Sequence, residues 1–513
     1  MGHEGKPLPP PTPFWWRSGI AVGIGLLALS AYGLREFIGL RGQSLIGVFF
    51  FFGLIATFSR NLRAVNWRTI GWGVSLQIML ALLVLKVGYT RATTQEEKHT
   101  IQCKQAVALI GAGTLGPLAV LPASQHAPSE TTFVRPFYAI IEKAGTIVKA
   151  FIGFSDKGAQ FVFGNLARPG DIALNPGVEF LFMFAFSALP PILFVSAFFT
   201  VLYHYGVLQW CVRLMARGMV YLMGTSGAET LSVSANVFMG QTEAPLIVKP
   251  YVPKMTNSEL FTLMASGMAH ISGGMMVVYI NYGADPVAVL TTSVMACPCS
   301  LYLAKLFLPE TETPVTAGTI ETEATKSPYV NGIDAAASGT ADGLRLALNV
   351  AAMLIVFIAF VALFNGLLRE IKPALLTLGV ASESLANWPN DLSLGHLFGW
   401  MFAPVAFLMG IDVRDMEKVG SLLGAKLSIN EHYAYLQMKD MKVGAMTDRS
   451  YKLAAFALTG FANFASIGIQ LGGIGALAPE RRHDLARLGG RALFVGFVAT
   501  LLNASIAGIL IDD

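Results

Sequence analysis

Residues 224–252, GTSGAETLSVSANVFMGQTEAPLIVKPYV, carry the most informative pattern in the sequence. Its small and apolar residues are interrupted by Gln241-Thr242-Glu243 and by Pro245, after which apolar residues resume. Each apolar half is too short to cross a hydrocarbon layer of about 30 Å. The pattern therefore predicts two half-length helices that meet at a polar tip. Within the hydrocarbon layer, such non-helical backbone is found only where it is buried in protein or lines a water-filled cavity. A surface loop between two ordinary spans is the alternative interpretation.

The composition is that of a multi-pass membrane protein. Of its 513 residues, 54% are hydrophobic and 13% are charged, whereas about 25% are charged in soluble domains. The net charge of +4 is scattered along the chain, so no nucleic-acid partner is expected. Cys297-Pro298-Cys299 lies in an apolar run and is interpreted as small buried hydrophobic residues rather than a metal or redox site.

The chain is predicted to be all-α, with a disordered lead at 1–17, N-terminal spans within 18–90 and an insertion at 91–135. A helix at 137–149 is amphipathic and too short to span, which favours an interfacial position. A second interrupted pair, 392–411 and 420–438, is expected within 392–438. The other predicted helical segments are 18–33, 44–59, 69–89, 180–206, 208–223 (tilted or peripheral), 259–282, 285–306, 343–368, 451–477 and 485–511.

The insertion contains Gly111-x-Gly113-x-x-Gly116, which nominally matches a dinucleotide-binding fingerprint. Pro117 follows at once and no strand–turn–helix unit surrounds the motif, so a nucleotide site is not expected there.

Two intramembrane carboxylates are the first candidates for function, because ionisable groups are costly at membrane depth. Glu243 lies at the first polar tip and Glu431 beside the second interrupted pair. Two Gly- or Pro-interrupted segments in corresponding halves also indicate a transporter's binding site. Amides and hydroxyls near them suit an uncharged, hydroxyl-rich solute with a heteroatom ring; helix–helix hydrogen bonds are the alternative explanation. These residues are Asn236, Gln241, Thr242, Asn430, Asn463 and Ser466.

Residues 236–245 (NVFMGQTEAP) resemble the first re-entrant hairpin of the concentrative nucleoside transporters. Four further stretches agree in the same order: 309–312 (PETE), 430–435 (NEHYAY), 460–468 (GFANFASIG) and 477–485 (LAPERRHDL). The resemblance covers about 45–90 and 137–508. It implies a homotrimeric symporter of the cell membrane that works by alternating access, with two re-entrant hairpins at about 224–252 and 392–438.

The resemblance also implies a division into scaffold and transport domains. Residues 18–90 would hold an extra first span plus scaffold, and 136–223 the interfacial helix and a scaffold span. Residues 224–511 would be mostly transport domain, with a scaffold span at 343–368.

Site roles follow from the same resemblance. Gln241, Thr242 and Glu243 would face the nucleobase, and Glu431, Asn463 and Ser466 would hold the ribose. Met275 is also placed at the substrate site by the resemblance. The coupling cation would be held by Asn236, the carbonyl of Met239, and the adjacent span at His270 and Ile271.

His270 departs from the sodium-coupled pattern, which has Ser or Thr at this position. An imidazole replaces a hard oxygen ligand with a group that titrates near neutral pH. Either sodium is held by the remaining oxygens, or a proton is the coupling ion. A neutral histidine hydrogen-bonded between helices is the third interpretation.

The sequence also bears on other possible functions and on the orientation in the membrane. No H-E-x-x-H or H-x-x-E-H spacing exists, so an enzyme is not expected; a channel, or a carrier for another polar ring-containing solute, is the alternative. Arginines at 60, 63 and 68 mark a cytoplasmic loop, as do those at 481, 482, 487 and 491 before the last span. The tail 509–513 has no Lys or Arg, so the C-terminus is expected outside the cytoplasm.

Overall fold

The computed structural model describes residues 9–87, 89–92, 131–134, 136–163, 189–318, 328–379, 388–441 and 444–511. The N-terminal half contains α1 (Phe14–Gly33), α2 (Arg35–Thr57), α3 (Trp67–Leu85), β1 (Tyr89–Ala92), β2 (Thr131–Val134), α4 (Pro136–Phe163), α5 (Leu189–His204), α6 (Val207–Met223), α7 (Gly227–Ala235) and α8 (Ala244–Ile247). Then follow α9 (Asn257–Ala269), α10 (Gly273–Asn281), α11 (Pro286–Phe307), α12 (Gly332–Arg369), α13 (Ile371–Thr377), α14 (Leu394–Leu408), α15 (Met416–Ser428), α16 (Glu431–Asp440), α17 (Asp448–Leu458), α18 (Phe464–Leu477) and α19 (Arg482–Leu510).

The all-α membrane class is confirmed, with one local addition. β1 and β2 pair antiparallel, from Tyr89 opposite Val134 to Ala92 opposite Thr131. The two strands lie at the two ends of the predicted insertion 91–135, and its glycine motif lies outside the described residues. Six segments within the described ranges are long and apolar enough to span a membrane: α1, α2, α3, 257–281, α11 and 479–510.

Two predicted boundaries in the N-terminal part shift. Helix α1 begins at Phe14 and so takes in the end of the lead predicted at 1–17. Contacts near its start explain the earlier beginning: the guanidinium of Arg63 lies 5.2 Å from the ring of Trp16, and Arg17 Nη2 donates to the carbonyl of Arg60 at 2.8 Å. Helix α4, predicted as the interfacial helix 137–149, continues to Phe163.

Two sets of helices pack among themselves. Helix α11 and the part of α19 after Arg491 are almost entirely buried. They form the centre of one set, with α2 along α19, α3 along α11, and α9 against both. Helix α12, which carries the predicted scaffold span 343–368, lies along α5. The assignment of 18–90 to the scaffold stays a prediction.

The second hairpin is the pair α14 and α15. These helices pack antiparallel along their length, so closely that a Cβ on Gly420 would lie 2.7 Å from the carbonyl oxygen of Gly399. The second arm was predicted to run to 438, but α15 ends at Ser428 and a new helix starts at Glu431. The reason is a helix cap, since the side chain of Asn430 accepts from the amide of Tyr433.

Two helices that the sequence predicted as continuous spans are broken. The segment 259–282 is interrupted at 270–272, where Ser272 caps α10 by accepting from Met275 N. The segment 451–477 is interrupted at 459–463, where Asn463 caps α18 by accepting from Ser466 N. The two breaks touch, because Phe461 N donates to the carbonyl of His270 at 3.0 Å.

Gly460 permits this contact. Its φ of +150° is a conformation that side chains disfavour, and a Cβ there would lie 2.7 Å from Thr500 Cγ2 and 3.0 Å from Ala269 O. A glycine is therefore required both by the backbone conformation and by the distance between the two breaks.

We expect Gly460→Ala to destabilise the protein by about 2 kcal/mol or more, because backbone strain and overpacking each cost about 1–3 kcal/mol. Thermal unfolding in detergent, followed by size-exclusion chromatography, measures the loss. Gly468→Ala is the matched control, since a Cβ at Gly468 in α18 meets nothing within 4 Å. Equal stability of the two variants would contradict the close contact.

We also expect the C-terminus to lie outside the cytoplasm. Helix α19 is continuous over 29 residues, about 43 Å, so Arg482 at its start and Ile511 beyond its end face opposite sides of the membrane. Arg491 and Arg60 line one cavity. The two arginine clusters that were predicted to be cytoplasmic, one around Arg60 and one before the last span, therefore lie on the same side of the membrane. A C-terminal reporter that fluoresces only in the cytoplasm should stay dark, and one active only outside should work; the reverse result would refute this orientation.

Candidate functional site

The candidate site is centred on Glu431, the first residue of α16. Its side chain is held in place because Asn430 caps the helix and fixes where α16 begins. Glu431 is 5% exposed and accepts two hydrogen bonds: Tyr279 Oη donates to Oε1 at 2.9 Å, and Asn463 Nδ2 donates to Oε2 at 2.9 Å. One carboxylate thus joins α10, α16 and the break before α18.

From Asn463 the hydrogen bonds continue to the first hairpin. Asn463 Oδ1 accepts from Ser466 N at 2.9 Å, and Ser466 Oγ accepts from Gln241 Nε2 at 3.1 Å. Gln241 Oε1 accepts from Gln470 Nε2 at 3.2 Å. We call this series, from Tyr279 to Gln470, the hydrogen-bond chain. It connects the tip of the first hairpin with the helix that follows the second.

Four of the predicted substrate residues are therefore in contact, and three are not part of the hydrogen-bond chain. Thr242 packs against α18, where a Cβ on Gly473 would lie 2.6 Å from Thr242 Cγ2. Glu243 is exposed, and its Oε2 accepts from Gly240 N at 2.8 Å, which stabilises the turn. Met275 is buried in the first turn of α10.

Two of the four predicted cation residues, Asn236 and His270, meet at Ser266 of α9. Asn236, at the end of α7, donates from Nδ2 to Ser266 Oγ at 2.9 Å. His270 Nδ1 lies 2.8 Å from the carbonyl oxygen of Ser266. Within the described part of the chain, Asn236 Oδ1 and His270 Nε2 are buried and have no hydrogen-bond partner.

These groups fit a sodium ion as transported cargo. An unpartnered amide oxygen on Asn236 and the unwound backbone at 270–272 are the kind of oxygen donors that transporters offer sodium beside broken helices. Ile271 is fully buried in that break, and Met239 is half-buried in the hairpin tip. Among the described residues, no three His, Cys, Asp or Glu side chains are grouped for a metal. His270 offers a nitrogen where the sodium-coupled pattern has a hydroxyl.

Sequence reasoning missed three members of this region: Tyr279, Gln470 and Ser266. Gln470 carried a usable signal, since an amide in an apolar segment is as unusual as the glutamates. Tyr279 and Ser266 carried none, because a tyrosine and a serine are ordinary in membrane helices and only the tertiary contacts select them.

Lys426 was also missed, although an intramembrane lysine is a candidate by the same rule as Glu431. It is fully buried in α15. Its Nζ donates to Ala457 O at 2.8 Å and Thr500 Oγ1 at 2.9 Å, and lies 5.5 Å from the ring centroid of Phe497. The ammonium thus ties the second hairpin to the C-terminal turn of α17, where helix carbonyls attract positive charge.

The 309–312 motif has a structural role at the base of the first hairpin. Lys305 Nζ lies 2.8 Å from Glu229 Oε2 and 3.1 Å from Glu310 Oε2. Ser258 Oγ accepts from the same ammonium at 2.9 Å, and Thr256 donates to Glu310 Oε2 at 2.9 Å. This cluster anchors α7 to α9 and α11, away from the hydrogen-bond chain.

Three family models match the chain. The description "Na+ dependent nucleoside transporter C-terminus" covers residues 288–508, "Nucleoside recognition" covers 185–285, and "Na+ dependent nucleoside transporter N-terminus" covers 46–112. The last match extends into the predicted insertion 91–135, so the family pattern continues further than the motifs indicated.

Relatives match over most of the chain. The uncharacterized transporter YutK of Bacillus subtilis is 40% identical over 71% of this chain and 85% of its own length. An uncharacterized transporter of Haemophilus influenzae is 34% identical over 91% of this chain and 97% of its own. Sodium/nucleoside cotransporter 1 of Rattus norvegicus is 33% identical over 97% of this chain and 68% of its own.

Solved structures agree with the fold. The structure of CNTnw in an inward-facing, substrate-bound state has a TM-score of 0.74 and 31% identity, over 91% of this chain and 97% of that one. A variant of CNTnw in an outward-facing state has a TM-score of 0.75 and 30% identity, over 92% and 98%. With the family models and the relatives, these matches show that the chain belongs to the family of Na+-dependent nucleoside transporters.

Proposed function

We propose that this protein is a symporter of the cell membrane that imports nucleosides together with a cation. The observation that supports it most strongly is the hydrogen-bond chain, which brings Glu431, Asn463, Ser466 and Gln241 together where a hairpin tip meets two helix ends. The relatives named for sodium and nucleoside transport belong to the same family.

Glu431 is proposed to bind the ribose. A carboxylate offers about four lone-pair sites, and Tyr279 and Asn463 use one on each oxygen. The remaining sites can accept from two vicinal hydroxyls, which a nucleoside ribose supplies. Tyr279 and Asn463 orient the carboxylate so that little side-chain entropy is lost on binding.

Gln241 is proposed to contact the base. Its amide presents both a donor and an acceptor, which are engaged by Ser466 Oγ and Gln470 Nε2 without substrate. A nucleobase edge also presents donors and acceptors, so it can replace these partners without leaving the amide unsatisfied. Thr242 and Glu243 lie next along the hairpin tip and complete the proposed base side.

Alternating access is the proposed transport mechanism, with the hairpins as occluding elements. CNTnw has been seen in inward-facing and outward-facing states, and this chain shares its fold. A carrier of this kind binds solute on one side at a time, so uptake saturates with substrate, whereas flux through a channel would not.

We infer that sodium is the coupling ion and that it binds at Asn236 Oδ1, with the carbonyls of Met239 and Ile271 as further ligands. The support is the buried amide oxygen that has no partner among the described residues. A proton is the competing candidate, favoured by the unpartnered Nε2 of His270, which could carry the charge in place of sodium.

A homotrimer is the proposed assembly, as the family resemblance implies. Helix α12 packs on α5 and keeps large apolar side chains exposed, among them Ile355, Leu363 and Leu367. Cysteine cross-linking along α12 in native membranes would yield a trimer ladder if this helix lies at the subunit contact.

We expect Glu431→Gln to lower the kcat/KM of uridine or adenosine uptake by about tenfold to a hundredfold, because hydrogen bonds to a charged group are worth about 1.5–3 kcal/mol. The amide Nε2 would also face the Asn463 amide donor. Uptake into proteoliposomes measures the effect. Glu370→Gln, at the exposed end of α12, is the matched control, and unchanged uptake by the Glu431 variant would remove this residue from the site.

For the coupling ion, we expect wild-type uptake to follow a sodium gradient and to change little with external pH. Asn236→Ala should raise the half-saturating sodium concentration about tenfold or more, since one ligand oxygen is lost. Ser234→Ala on the same helix is the control. His270→Ser should preserve sodium dependence, because it restores a hydroxyl.

Uptake that ignores sodium and rises as external pH falls would instead identify a proton as the coupling ion. In that case His270→Ser should abolish the pH response or convert the protein to sodium dependence.

A further inference from the structure

A cavity that is lined by none of the residues of the hydrogen-bond chain lies where the C-terminal ends of α2 and α11 meet α1, α9 and the first third of α19. Its volume is about 600 Å³. Four phenyl rings form one side, and three arginines supply all of its charged lining residues. The rings are those of Phe58, Phe261, Phe307 and Phe494, and the arginines are Arg17, Arg60 and Arg491. The proposed transport function uses none of these residues.

The aromatic side is built as a packed unit. The rings of Phe261 and Phe307 are stacked with centroids 5.3 Å apart, and Phe494 contacts Phe307 at 6.2 Å and Phe58 at 5.6 Å. Phe261 is fully buried, whereas Phe58 is 57% exposed. The aromatic surface therefore runs from the protein interior out to the exposed C-terminal end of α2, with room for an apolar group along it.

The arginine side is anchored through its backbone. Arg60 N donates to Phe307 O at 2.8 Å, and Ser59 Oγ donates to Leu306 O at 2.6 Å. Arg17 Nη2 donates to the carbonyl of Arg60 at 2.8 Å, and Arg17 Nε is buried without a partner among the described residues. The side chains of Arg17 and Arg60 are thus brought to the same rim.

The rim carries a positive charge that the described part of the protein does not neutralise. No carboxylate of the described residues lies within 4.0 Å of the guanidinium groups of Arg17, Arg60 or Arg491. An adjoining cavity of about 350 Å³ shares Arg60 and Arg491 and adds Arg487, whose Nη2 pairs with Asp484 Oδ1 at 3.3 Å. Several guanidinium groups therefore converge beside an apolar wall.

We propose that this cavity binds the headgroup of an anionic phospholipid. Guanidinium groups bind phosphate oxygens in a bidentate manner, and basic pockets between membrane helices on the cytoplasmic side bind anionic headgroups. The phosphodiester would lie against Arg17, Arg60 and Arg491, and the first acyl carbons would cover the phenyl rings. A free phosphate would satisfy the arginines but leave that apolar wall uncovered.

Such a lipid would add a link between three helices at this rim. Arg17 belongs to α1, Arg60 follows α2, and Arg491 belongs to α19. The bound lipid should therefore stabilise the attachment of the N-terminal helices to α19, and its loss should lower thermal stability without changing the nucleoside site.

The experiment uses the full-length protein purified in a mild detergent. Native mass spectrometry of wild-type protein mixed with phosphatidylglycerol should show a bound lipid that persists at collision energies which remove phosphatidylcholine. Phosphatidylglycerol should also raise the unfolding temperature, and phosphatidylcholine should not. The triple variant R17Q/R60Q/R491Q should lose both effects, and Arg369→Gln, an exposed arginine at the end of α12, should keep them.

A charge-conserving variant and free phosphate distinguish lipid binding from misfolding and from simple anion binding. R17K/R60K/R491K, which keeps the charge, should recover part of the lipid effect and shows that the lost binding is not simply misfolding. Inorganic phosphate at millimolar concentration should give a smaller stabilisation than the lipid. Equal binding of the two lipids, full retention by the glutamine variant, or stabilisation by phosphate that matches the lipid would each overturn the proposal.

Discussion

The amide of Phe461 donates to the carbonyl of His270 across 3.0 Å, and this hydrogen bond joins the breaks of two different helices. Inside a bilayer a backbone amide that leaves its helix has no water to bind, so it must find a partner in the protein. Each break here supplies a partner to the other. Gly460 makes the approach possible, because a side chain at that position would collide with the carbonyl of Ala269. The polar site could not form around continuous helices.

The breaks also set the electrostatics of the site. Helices α10, α16 and α18 begin at side-chain caps, Ser272, Asn430 and Asn463. A helix N-terminus carries about half a positive charge, so the start of α16 is a favourable place for the carboxylate of Glu431. A neutral, hydroxyl-bearing ligand suits this arrangement, because the helix N-terminus and the donors Tyr279 and Asn463 already stabilise the charge of Glu431 in part. The unwound carbonyls on the other side of a break favour a cation.

Part of this site was predictable from sequence because polar residues are conspicuous among apolar ones. Glu431, Asn463, Ser466 and Gln241 were predicted together, and the structure connects them in one series of hydrogen bonds. Glu243 was predicted by the same reasoning; its Oε2 accepts from Gly240 N in its own turn, and its contact with the base stays a prediction. Sequence alone shows neither which amide a carboxylate accepts from nor which helices it joins.

The broken helices were not predicted, although local signals were present. Averaged over a whole span, 259–282 and 451–477 are apolar, and the three and five non-helical residues of the two breaks barely change that average. Gly460 marks one break and the pair Gly273-Gly274 follows the other, but glycine is common in membrane helices and therefore signals a break only weakly. Tyr279 could not have been found from sequence, since its hydrogen bond to Glu431 depends on how α10 and the start of α16 pack together.

If nucleoside and sodium bind to one connected region, their affinities are coupled. Isothermal titration of the purified protein with a nucleoside, in sodium and in choline, measures this coupling. We predict tighter nucleoside binding in sodium, and an equal factor by which the nucleoside tightens sodium binding, since coupling free energies are reciprocal. The same nucleoside affinity in both salts would show that the two sites are independent.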